Sequence, residues 1–334
     1  MEAIHTLEIA VNIYLQSLGP LLQALMRAIT LFGDELFFII FMPAIYWCVD
    51  AVVGLRIGIM LLLSTALNSF FKLLWKGPRP YWISDQVTPL VRESSFGIPS
   101  GHAMTATSVW GWAAMEVKKK PFTIFCIVLI LLIGISRLVV GAHFLTDVLA
   151  GFLLGGLLLA AFARWVGPLS TWFAGLHLSG QILASLASAL VLVGLNGLVV
   201  ALTGSWALPP DWAARAGQVS PLSLSGALTA GGTWFGMLAG FSILRARQGT
   251  LQSAQGTWQK IARYLLGIAG VLLLYLGLGQ VFSTINAQAA VPLLEYLLRF
   301  VRYSLIGLWI SWLAPLLFRR IGLAAIQPID TAQG

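Results

Sequence analysis

The chain has 334 residues, of which 58% are hydrophobic and 10% charged, with a formal net charge of +8. Soluble domains carry roughly 25% charged residues, so this composition excludes a globular protein that faces water on all sides. The basic residues lie between apolar runs rather than in one block, which argues against nucleic acid as a partner and suits control of membrane topology.

In chain order, residues 4–30 predict an amphipathic helix. Glu8, Asn12, Gln16, Gln23 and Arg27 recur at spacings of four or seven and form one narrow polar stripe. Such a helix can lie in the interface or cross with its stripe turned into the bundle; it is expected to lie in the interface or to insert halfway, with Gly19-Pro20 weakening or kinking it. It lacks the basic start and small-residue cleavage site of a secretory signal. Apolar spans follow near 34–50, 53–75, 101–116, 121–137, 144–165, 180–203, 223–243, 262–283 and 300–318. With their flanks, several approach the ~20 residues that a helix needs to cross a bilayer. The expected fold is an all-α polytopic membrane bundle.

Tracing alternate sides of these spans places Lys118, Lys119, Lys120, Arg319 and Arg320 together, and the positive-inside tendency makes that side cytoplasmic. A composition shift near Gly167-Pro168 divides the chain into residues 1–168, rich in patterned polar groups, and 169–334, rich in Gly, Ala and Leu. Gly232, Gly236 and Gly240 form a small-residue ladder, as do Gly151 and Gly155. Such ladders suit close packing within the chain and also offer a face for a homo-oligomer. Cys48 and Cys126 lie in apolar segments and suggest neither a disulfide framework nor a zinc site.

Three polar clusters fall at helix ends on the side opposite Lys118–Lys120. Lys72 and Arg79-Pro80 close one span, where Gly77-Pro78 should stop the helix. Alone, they read equally well as interfacial anchors. Pro99-Ser100-Gly101-His102 opens another span, with Ser100 as cap and free N–H groups suited to an anion. Alone, this is simple capping. Ser136-Arg137, His143 and Asp147 form the third cluster. The four-residue step puts His143 and Asp147 on one helical face, where a carboxylate can fix the imidazole tautomer and leave the other nitrogen free to attack. Cations and backbone donors together suit a phosphoryl group, and two histidines can divide attack from protonation. No Cys/His or multi-carboxylate set points to a metal.

In spacing and order, these residues closely resemble the type-2 phosphatidic acid phosphatase family. Its pattern is a Lys, six residues, then Arg-Pro; a Pro-Ser-Gly-His; and a Ser-Arg, five residues, His, three residues, Asp. The resemblance implies that His143 is the nucleophile, Asp147 its support and His102 the general acid. It implies that Lys72, Arg79, Ser100, Gly101 and Arg137 hold the phosphate oxygens, with no cofactor and no metal. The match covers about residues 30–165 and implies a six-helix phosphatase core, residues 1–168, followed by an extension of about four helices, residues 169–334. The expected substrate is a lipid phosphate met among membrane lipids: phosphatidic acid, phosphatidylglycerol phosphate or a polyprenyl diphosphate such as undecaprenyl diphosphate. The expected location is the cell (inner) membrane, with the site on the periplasmic or extracellular side. Two other functions fit the same residues, a lipid-linked phosphotransferase and a lipid transporter that performs no chemistry.

Overall fold

The structure, a computed structural model, describes residues 2–254, 256–289 and 291–327. The chain is helical almost throughout, apart from a two-residue antiparallel pair, β1 (Thr250–Leu251) with β2 (Ile326–Gln327). Among the described residues, seven helices are long and apolar enough to cross a membrane. The protein is a multi-pass membrane protein.

The N-terminal segment is two helices, α1 (Glu2–Ser17) and α2 (Pro20–Thr30), bent by 108°. Gly19 takes φ 107, a value side chains resist, and Pro20 starts α2 without an N–H to donate. Next come α3 (Glu35–Cys48), α4 (Ala51–Trp75), the single turn α5 (Pro80–Ile83), α6 (Gly101–Val117), α7 (Lys120–Val139), α8 (Leu145–Ala174) and α9 (Leu178–Thr203). Beyond them lie α10 (Pro210–Ala216), α11 (Ser225–Arg247), α12 (Thr257–Leu272), α13 (Gly279–Ala289), α14 (Pro292–Leu308) and α15 (Ala314–Arg320). On α7, Ile124, Phe125, Ile127, Val128 and Leu131 are exposed at helical spacing, while Ile133, Ser136 and Arg137 are buried. One side of this helix is suited to lipid and the other to protein.

By contact, the chain gathers into two compact units that interleave in sequence. The first comprises Met1–Phe38, Leu63–Arg164 and Leu195–Ser223; the second comprises Ile39–Leu62, Trp165–Gly194 and Leu224–Gly334. Within the first, α8 packs on α6 at Gly151 and Gly155. A side chain at Gly151 would meet the Ser100 carbonyl at 2.7 Å, and one at Gly155 the Met104 carbonyl at 2.6 Å. Within the second, Gly232, Gly236 and Gly240 of α11 press against Phe300, Ser304 and Ser311 on and just beyond α14. Both small-residue ladders are therefore used inside the chain. An oligomer built through them would have to open these contacts.

Candidate active site

All three motif clusters lie in the first unit. The α4 helix carries Lys72 into its last turn, and Lys76 leaves the helix with φ 50. Residues Gly77–Arg79 lie outside any helix, and Arg79 is extended just before Pro80, which opens α5. The segment Glu93–Gly97 threads beside them, with Gly97 N–H donating to the Gly77 carbonyl at 2.9 Å. There is no room for a side chain at Gly97, where a Cβ would meet the Pro78 carbonyl and lie 3.1 Å from Asp147 Oδ2.

Ser100 caps α6 by accepting from Ala103 N–H at 3.5 Å, and its own N–H donates to the Asp147 carbonyl at 2.9 Å. The start of α6 is thereby tied to the start of α8. Gly101 faces Asn68, whose Oδ1 a Cβ would meet at 3.0 Å. His102, in the first turn, is 15% exposed; its Nε2 is 3.8 Å from Asp34 Oδ2, and it sits within electrostatic reach of Arg137, Glu93, Lys72 and Arg79. Asp34 thus borders the site.

The α7–α8 loop presents His143, which is 1% exposed. Its Nδ1 lies 3.2 Å from Asp147 Oδ2, and its Nε2 lies 3.2 Å from Arg79 Nη1. A guanidinium only donates, so Nε2 must offer its lone pair, and the proton belongs on Nδ1 facing the carboxylate. Asp147 Oδ2 also accepts from Phe144 N–H at 2.9 Å, which locks the carboxylate. Burial, and then the neighbouring Arg79, lower the His143 pKa well below its ordinary value. A neutral imidazole is thereby held with its lone pair aimed at the cations.

Those cations are buried. Lys72 Nζ donates to Phe96 O at 2.7 Å and to Ser95 Oγ at 2.9 Å. Arg79 donates to the carbonyls of Ser95, Phe96 and Ala142 at 2.7, 3.0 and 2.8 Å. Arg137 donates to Thr30 Oγ1 at 2.8 Å and to Glu93 Oε1, while its Nε is buried without a hydrogen-bond partner. A buried unpaired donor costs about 1–3 kcal/mol, and an oxyanion at this point would satisfy it. Glu93 is the carboxylate that reaches both arginines, with Oε2 3.6 Å from Arg79 Nη2. Burial pushes the Glu93 pKa up, but Arg79 and Arg137 outweigh it and hold the carboxyl well below the usual carboxylate range.

The motif spacing predicted Lys72, Arg79, Arg137, His143 and Asp147, and the structure brings them together with His102 and the start of α6. The motif did not reveal Glu93, Ser95 or the Phe96 carbonyl. Glu93 stands in the irregular run Arg92-Glu93-Ser94-Ser95, where only an acidic residue between two basic motifs hinted at a counter-ion. Nor did it reveal residues 204–222. Trp206 packs on Phe96 with ring centroids 5.4 Å apart, Trp212 packs on Trp82 at 6.3 Å, and Arg215 pairs with Asp85 at 2.9 Å. This segment, distant in sequence, covers the back of the loop that carries Arg79.

Two family models match the chain. The PAP2 superfamily matches residues 53–171, which hold every motif residue above, and the PAP2 superfamily phosphatase transmembrane extension matches residues 228–326. The chain belongs to the PAP2 superfamily. Within it, phosphatidylglycerophosphatase B of Bacillus subtilis (strain 168) is 49% identical over 79 residues, 21% of this chain and 39% of that protein. Sphingosine-1-phosphate phosphatase 2 of Homo sapiens is 33% identical over 135 residues, 38% of this chain and 33% of that protein. The chain spans well under half the length of these two curated relatives. A solved transmembrane PAP2-type phosphatidylglycerolphosphate phosphatase from Bacillus subtilis is 31% identical, with a TM-score of 0.44, covering 50% of this chain and 88% of that one.

Proposed function

We propose that this PAP2 superfamily member is an integral-membrane lipid phosphatase that works through a phosphohistidine on His143. The observation that carries the reading is the His143 ring held between Asp147 and Arg79, with the lone pair of Nε2 turned toward the phosphate-binding cations. In the first step, Nε2 attacks phosphorus, the N–P bond forms and the bond to the leaving oxygen breaks. His102, the most exposed of the two histidines, gives that oxygen its proton, a contribution typically worth about 10²–10⁴-fold in rate. In the second step, water loses a proton to His102 as its oxygen bonds phosphorus, and the N–P bond breaks to release inorganic phosphate. Asp147 stabilises the positive charge the ring acquires. Lys72, Arg79 and Arg137, with Ser100 and Gly101 at the positive end of α6, bind the equatorial oxygens whose charge spreads during transfer.

The substrate class follows from the apolar surroundings and from the relatives' names. Phosphatidylglycerol phosphate and a lipid monophosphate such as sphingosine-1-phosphate or phosphatidic acid fit, as does a polyprenyl diphosphate, because the site grips phosphate rather than tail. In chain order, residues 1–168 supply the catalytic residues and 169–334 the extension, although the compact unit that holds the site leaves out 39–62 and takes in 195–223, whose residues 204–222 support the Arg79 loop. The site opens to the periplasmic or extracellular side.

The test is phosphate release by the purified protein from a panel of these lipids. Release should persist in excess EDTA, be blocked by vanadate and vanish in His143→Ala. A strict need for added magnesium, or full activity in His143→Ala, would overturn the mechanism. Release that requires an alcohol acceptor would make the enzyme a phosphotransferase instead.

A further inference from the structure

The polar stripe of α1 is turned inward. Asn12 is fully buried and Glu8 is 6% exposed, while Leu7 and Tyr14 are exposed on the other side of the helix. The stripe lands on the loop that presents the nucleophile. Asn12 Nδ2 donates to the Leu138 carbonyl at 2.8 Å and to the carbonyl of His143 itself at 3.2 Å. One turn earlier, Glu8 Oε1 accepts from Thr146 N–H at 2.7 Å. One turn later, Gln16 Nε2 donates to the carbonyls of Val139 at 3.0 Å and Thr88 at 2.8 Å, and its Oε1 accepts from Thr88 N–H at 3.1 Å. The ring of His5 packs on Phe144 with centroids 4.7 Å apart.

Capping alone accounts for part of this pattern, because Leu138 and Val139 end α7 and their carbonyls need donors. Glu8 likewise caps α8, whose first turn includes Thr146, but capping does not call for the bond from Asn12 to the carbonyl of His143. That bond holds the backbone of His143 itself, in the short loop between α7 and α8, while Glu8 holds the first turn of α8 just after it. Gly141 sits in the loop at φ 70 with no room for a side chain, since a Cβ would meet the Thr88 carbonyl at 2.8 Å and Gln16 Nε2 at 2.9 Å. Asp147 and Arg79 fix the ring of His143, and α1 fixes the backbone that carries the ring. Attack on phosphorus is steeply sensitive to such placement, and a displacement near 1 Å can cost about 10²-fold in rate.

We propose that α1 is a positioning element for the nucleophile and that Asn12 is its central positioning residue, an inference that rests on the phosphohistidine reading. The experiment uses the full chain, purified, with radiolabelled short-chain phosphatidic acid and rapid-quench trapping of acid-labile phosphohistidine. In Asn12→Ala, the rate constant for phosphohistidine formation and kcat should fall together by about 10–100-fold, while KM and inhibition by inorganic phosphate stay within about twofold, because the cations are untouched. A purely structural role would lower the trapped amplitude and leave the rate constant alone, and that result would overturn the proposal. Asn12→Gln, which keeps a donor, should recover part of the rate. Leu7→Ala, on the outward side of the same helix, should match the wild type. Where Asn12→Ala fails to fold, Gln16→Ala serves in its place. A slower rate constant at full amplitude supports the proposal, and wild-type kinetics sink it. Wild-type protein that releases phosphate without ever trapping label on His143 would instead overturn the covalent mechanism, and this inference with it.

Discussion

Glu93 shows most clearly how single residues set the state of this site. Its carboxylate spans Arg79 and Arg137, the two guanidiniums proposed to take the phosphoryl oxygens. A phosphoryl group must therefore compete with it. Glu93→Gln removes the competing charge, so vanadate should bind several-fold more tightly, as inhibition curves would show. The same change deprives two buried cations of a partner and should destabilise the protein by about 2 kcal/mol, the scale of a hydrogen bond to a charged group. The pH dependence has a definite sign. Because the folded-state pKa of Glu93 is depressed, its stabilising contribution is complete above its unfolded value of about 4.3 and is lost as pH falls through the folded value. The gap in thermal stability between wild type and Glu93→Gln should stay constant from neutral pH to about 5 and shrink below about 4.3. A gap that widens on acidification would show that another group is responsible.

Helix pairing rests on small residues because lipid tails give apolar side chains little reason to leave them. At Gly236, an added Cβ would collide with the Ser304 carbonyl and approach Leu308 N at 2.9 Å. Gly236→Ala should therefore overpack the α11–α14 contact and lower stability by about 1–3 kcal/mol. Gly194, inside α9, has nothing within 4 Å of the same position. There Gly194→Ala should be neutral or stabilising by up to about 1 kcal/mol, through helix propensity and a less flexible unfolded chain. Thermal unfolding of both variants in one detergent checks the pair; equal effects would show that the close approach does not hold the helices. At this scale the sequence was informative, since the ladder was visible as a four-residue repeat. It did not say which helix fills it, because small residues mark a close contact without naming the partner.

For the whole molecule, α6 separates the loop holding Asp85 from the loop holding Lys119. Seventeen residues at 1.5 Å each span about 25 Å, so these loops should emerge on opposite faces of the bilayer. Both native cysteines are buried, which favours single-cysteine labelling. In intact cells, an impermeant maleimide should label Asp85→Cys and spare Lys119→Cys until the membrane is opened. The reverse pattern would put the active site on the cytoplasmic side.

The sequence by itself determined that the chain is a helical membrane protein and where most spans fall, because bilayer thickness imposes length and hydrophobicity directly on local sequence. It also made the motif residues from Lys72 to Asp147 legible, because the phosphoryl chemistry proposed for them needs particular side chains at spacings that helix ends preserve. Only the tertiary structure decided that Glu93 bridges the arginines, that residues 204–222 support the Arg79 loop, and that the stripe from Glu8 to Gln16 faces the His143 loop rather than the interface. Each of these joins groups from separate segments, and long-range contacts of that kind leave no periodic trace in a single chain. A polar stripe reports that something polar lies opposite, and the fold alone supplies what it is.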